Sequence, residues 1–127
     1  MRATLISMLA VAALSAGICI CSVTVIGAAT EELDAMRIEV LRLIEQGDAA
    51  AARERLGQME EEWSQREERL AALAPHESLH GIKQLLIEGI ANLEAGDADD
   101  FNRSMALLGE FIRHLHEEER LSLANIM

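Results

Sequence analysis

The stretch His76-Glu77-Ser78-Leu79-His80 matches the pattern H-E-x-x-H. On a helix that spacing sets two imidazoles on one face, where they hold zinc while the glutamate activates a metal-bound water. The setting argues for something plainer. The match follows Pro75 directly, so it falls in a first helical turn rather than inside a long helix. No alternating strand pattern supplies a sheet edge to hold a peptide substrate. A plain helix start is preferred to adventitious metal binding by His76 and His80, and metal binding to catalysis. Zinc-dependent hydrolysis through His76-Glu77-x-x-His80 stays as the alternative enzyme reading.

A second group gathers by register. Counted along antiparallel helices from the first turn of its hairpin, Arg66 falls at the depth of His76 and Glu77, and of His114 through Glu118. Arg66 and Glu67 also interrupt an apolar stripe where an apolar residue is due. Arg66, His76, Glu77, His114 and Glu118 therefore make a candidate polar layer. They are read either as side chains in water or as a buried histidine–carboxylate–arginine network that fixes register or senses pH.

Other chemistries fall away. Asp97-Ala98-Asp99-Asp100 fails as a calcium loop, because Phe101 takes a ligand position and Leu108 the place of the bidentate glutamate. Glu60-Glu61-Glu62 and Glu117-Glu118-Glu119 read as solvated faces. No glycine-rich phosphate loop and no activated serine or cysteine is present, so no catalytic residue, metal ligand or cofactor is assigned. All 22 acidic side chains and all but one of the 11 basic ones lie beyond Ala29, leaving that part strongly acidic. Such a surface argues against nucleic acid, whose phosphates need Lys and Arg. With Trp63, Phe101 and Phe111 the only aromatics, stacking platforms are missing too.

The elements that position these residues are helical throughout. Apolar residues recur at three-four spacing in four segments, typified by Leu33-Met36-Val40-Leu43, Leu56-Met59-Trp63, Leu79-Ile82-Leu86 and Phe101-Met105-Leu108-Ile112-Leu115. Gly47-Asp48 and Gly96-Asp97 each supply a glycine that ends one helix and an aspartate that caps the next. Ala74-Pro75 separates the second helix, expected over about residues 49–73, from the third. Two similar hairpins result.

Ala3–Ala29 carries no charged side chain. A membrane span needs about 20 residues, so a transmembrane anchor is expected, with cleavage after Gly27-Ala28-Ala29 as the competing outcome. Cys19 and Cys21 follow Ile18 and Ile20, too large for a lipoprotein signal. Arg2 before the run and Glu31, Glu32 and Asp34 after it place the N-terminus inside and the rest outside. The seam of Leu33, Met36, Val40 and Leu43 extends backward through Ala29 and Ile26, so one helix is expected to run from the span to the first turn.

In these features the chain resembles a bacterial family known as domain of unknown function 4363. The likeness rests on the apolar start, the Gly-Asp hairpin, Trp63 followed by His76-Glu77 and Ile82, then His114, a run of glutamates, and Leu121 through Asn125-Ile126-Met127. Where the family favours an acid, this chain has His80. The resemblance implies an anchored extracytoplasmic domain and brings no activity, cofactor or catalytic residue.

The expected fold is all-α, an N-terminal transmembrane helix continuing into an antiparallel four-helix bundle of two hairpins. Residues 1–29 form the cytoplasmic stub and anchor (span about 3–22), and 30–127 the acidic extracytoplasmic domain. The expected role is a non-catalytic structural or protein-interaction module at the bacterial cytoplasmic membrane. Its partner would be another membrane or envelope protein, or a second copy. A small-ligand-binding or sensory bundle acting through a partner is the further alternative.

Overall fold

Four helices carry the chain: α1 (Arg2–Glu45), α2 (Ala49–Leu70), α3 (His76–Glu94) and α4 (Ala98–Ile126). The computed structural model describes residues 1–126, apart from the side chains of residues 19, 22, 23, 119, 122, 123, 125 and 126. The sequence readings on Cys19, Glu119 and Asn125-Ile126-Met127 fall outside the described residues.

Two corners are built alike because their sequences are alike. Gly47 and Gly96 take positive φ, 80° and 73°, the left-handed conformation that costs a side chain steric strain. That conformation lets Asp48 N–H donate to Leu43 O (2.9 Å) and Gly47 N–H to Ile44 O (3.0 Å). Asp97 N–H and Gly96 N–H likewise reach Asn92 O and Leu93 O. These paired bonds satisfy carbonyls that a helix end leaves open. Each aspartate then turns to the next helix, Asp48 accepting from Ala51 N–H and Asp97 from Asp100 N–H, both at 3.1 Å. The middle corner differs. Pro75 disfavours helical geometry at Ala74, so α2 stops at Leu70, short of the expected residue 73, and Pro75 precedes α3 as its cap residue.

Side-chain contacts fix the register. Arg55 and Arg66 of α2 meet Glu39 and Glu32 of α1, so the two helices run antiparallel. Trp63 Nε1–H donates to Leu79 O (3.1 Å), and Arg53 pairs with Glu94, reversing α3 against α2. Asn92 donates to Ser104 Oγ at 3.1 Å. An added Cβ would touch Phe111 from Gly81, Arg37 from Gly109, and His116 from Gly27. Each helix thus packs on its neighbours in sequence, and α4 closes on α1. The core between them holds Ile26, Val40, Leu56, Met59, Trp63, Leu79, Leu86, Met105, Leu108 and Leu115, all buried.

The expected transmembrane anchor is corrected here. Among the described residues no helix is long and apolar enough to cross a membrane. The far end of the uncharged run belongs to the bundle: Ile26, Ala29 and Thr30 are buried, and Thr30 Oγ1–H donates back to Ile26 O (2.9 Å). α1 passes residues 29 and 30 unbroken, and before Ile26 it leaves the bundle as an exposed arm.

Three predictions follow from close approach and from the corners. Alanine at Gly81 places its Cβ 2.5 Å from Phe111 Cε1, so the ring must leave α3. Urea unfolding should show a loss of about 1 kcal/mol or more. Gly57→Ala meets only the end of the Arg53 side chain, 3.1 Å away, and should gain up to about 1 kcal/mol of helix propensity. At the second corner, the backbone N–H of Asp100 holds Asp97 below the ordinary carboxylate range, while a side-chain hydrogen bond to Asp97 pushes Asp100 above it. A raised carboxyl is one whose charge the fold disfavours, so the penalty is present above its pKa and lifts as pH falls through it. Asp100→Asn should therefore raise the melting temperature at pH 7, with the gain fading below about pH 4.

Candidate functional site

The end of the bundle from which the arm departs gathers the histidines and Arg66. α1 contributes Gly27 and Glu32, α2 Arg66 and Glu67, α3 His76 and His80, and α4 His114, His116 and Glu118. The short α2–α3 connection sets His76 in the first turn of α3 beside the last turns of α2.

These residues form separate pairs. Arg66 Nη2 donates to Glu32 Oε2 at 2.6 Å, with both side chains in part exposed. His114 Nε2 lies 3.1 Å from Glu118 Oε1, one turn away on the same helix. Glu118 Oε2 is buried without a hydrogen-bond partner. His76 stacks on His80, ring centroids 6.0 Å apart and planes within 15°. His80 Nδ1 stands 3.9 Å from Glu67 Oε1. Glu77, in the first turn of α3, is exposed, where the helix dipole favours its charge. Arg66 is level with Glu32 of α1, whereas His116 of α4 lies against Gly27, more than a turn earlier on α1, and among the described residues no ion pair or hydrogen bond joins the α4 pair to Arg66.

Sequence reasoning passed over two partners, Glu32 and Glu67. A signal for Glu32 was present. Glu32 and Glu39 stand one heptad apart on the flank of the α1 seam, opposite Arg66 and Arg55, the pattern of ion pairs beside a packed seam. Glu67 was noted only as an interruption. Its side chain is 13% exposed and stands 3.9 Å from Nδ1 of His80.

An open groove of about 540 Å³ lies between α1 and α4, lined by Thr30, Asp34, Arg37, Gly109, Arg113 and His116 among others. Arg37 Nε–H donates to Asp34 at 2.8 Å, and its guanidinium lies across Gly109. The groove lies open to solvent, whereas small-molecule sites bury most of their ligand. Among the described residues no three histidine, cysteine, aspartate or glutamate side chains converge on one point.

Because the Arg66–Glu32 pair is in part solvated, it should contribute little. Arg66→Leu is expected to change the unfolding free energy by no more than about 1 kcal/mol, with the difference shrinking in high salt. A loss of several kcal/mol would instead mark a buried network.

No curated protein and no solved structure matches the chain. One family matches, Domain of unknown function (DUF4363), over residues 20–126. Met1–Cys19 lie outside that match, although the resemblance read from the sequence took in the apolar start. With the family's region extending from the base of the arm through all four helices, the chain belongs to the family described as Domain of unknown function (DUF4363).

Proposed function

We propose that this chain is a non-catalytic interaction module whose N-terminal arm is enclosed by the apolar helices of another envelope protein. The observation that supports this is the surface of the arm. Leu5, Ile6, Met8, Leu9, Val11 and Leu14 are each more than half exposed. At about 100° per residue these positions point around the whole circumference of the helix. A helix that is apolar on all sides needs cover on all sides, and an exposed apolar surface of this extent marks an association site. A second copy would lay one helix along one face and leave the others bare. A partner that presents several apolar helices covers them all. The bundle meanwhile offers an acidic exterior to everything else, since the chain carries a net charge of −11. Its exposed histidines and glutamates stand outside any enclosed cleft, which favours docking over catalysis.

The test places a photo-crosslinking residue in turn at Leu5, Leu9 and Leu14 of the full chain, with Glu61 as a control on the bundle. Irradiation in cells should join all three arm positions to the same foreign polypeptide and leave the control unjoined. Crosslinks to other copies of the chain alone, to lipid alone, or equally from Glu61 would overturn the proposal.

A further inference from the structure

We infer that His76 and His80 form a surface chelate for a borderline divalent cation of the Zn²⁺, Ni²⁺ or Cu²⁺ class, with Glu67 fixing His80 from the neighbouring helix. The two imidazoles lie on one face of α3, one turn apart, already face to face with ring centroids 6.0 Å apart. Metal–nitrogen bonds of about 2.0–2.1 Å require the rings to turn toward each other. Both histidines are exposed, so that turn displaces no core side chain.

The carboxylate is what separates this pair from any two histidines on a helix. A metal-bound imidazole keeps an N–H on its other nitrogen, and an acceptor there fixes both the tautomer and the ring orientation. Glu67 is poised for that role. It comes from α2, its side chain is held largely out of water, and its Oε1 stands 3.9 Å from His80 Nδ1. A small approach makes the hydrogen bond, leaving Nε2 of His80 as the ligating atom. That nitrogen now faces Gln84 Nε2 at 3.3 Å, a contact a cation would replace. Since three side chains do not converge among the described residues, water completes the coordination. Nitrogen donors select the borderline cations over Mg²⁺ or Ca²⁺, which prefer oxygen. Once bound, the ion ties the first turn of α3 to the last turns of α2 through Glu67.

Zinc titration of the full chain by calorimetry, with a parallel thermal melt, tests the assignment. One Zn²⁺ per chain is expected, with a rise in melting temperature because the ion binds the folded form. His76→Gln and His80→Gln should each abolish saturable binding, and Glu67→Gln should weaken it about ten-fold or more without changing the stoichiometry. His114→Gln should leave it unchanged. All four changes are isosteric or exposed, and circular dichroism checks that each variant is folded. Absence of saturable zinc uptake by the native chain would overturn the inference. So would uptake that survives His80→Gln, is lost with His114→Gln, or is indifferent to Glu67→Gln.

Discussion

The apolar seam of α1 from Ile26 to Val40 has to be covered by two helices at once, and the remaining architecture accommodates that demand. One flank of the seam meets α2, where Glu32 and Glu39 pair with Arg66 and Arg55. The other meets α4, which comes close because Gly109 admits the Arg37 side chain and Gly27 lies beneath His116. α3 completes the ring opposite α1, and Trp63 fastens it by donating to the Leu79 carbonyl at the centre of the core. A buried indole needs such a partner for its N–H. The hydrogen bond, the glycines and the ion pairs each serve the same closure of four apolar stripes on one another.

Much of this was legible in the sequence because it depends on local rules. Glycine followed by aspartate specifies its own corner, since the left-handed residue and the cap are both next-neighbour effects, and both corners form as read. The stripes are equally local, and Ile26 and Ala29 are buried where the backward extension of the seam placed them. The partners of the candidate polar residues were not legible. Counting residues gives only an approximate height for a side chain, and each further residue turns the helix by about 100°. Which neighbour a side chain meets therefore depends on rotational phase, and that is fixed only by packing. Arg66 turned to α1, His80 to α2, and His114 along its own helix.

The reading of the apolar start failed for a related reason. Ile26 and Ala29 were already assigned to the bundle seam; what fails is the span before them, because among the described residues no helix is long and apolar enough to cross a membrane. Ile26 and Ala29 belong to the protein core, and the residues before them stand outside it. Hydropathy measures how much a segment avoids water and is silent on what replaces the water. Protein interior and lipid satisfy the same composition. The family match, which begins at Ile20, falls close to this division.

The arm and the last described turns of α4 leave from one end of the bundle, with Gly27 beside His116 and both glycine corners at the other end. A tension applied between arm and C-terminus would therefore peel α1 from α4 turn by turn, each contact breaking alone and at low force. A tension between the arm and the Gly96 corner would load the contacts of α1 in parallel, as shear. The same bundle is thus mechanically soft along one line of pull and stiff along another, and what grips it decides which.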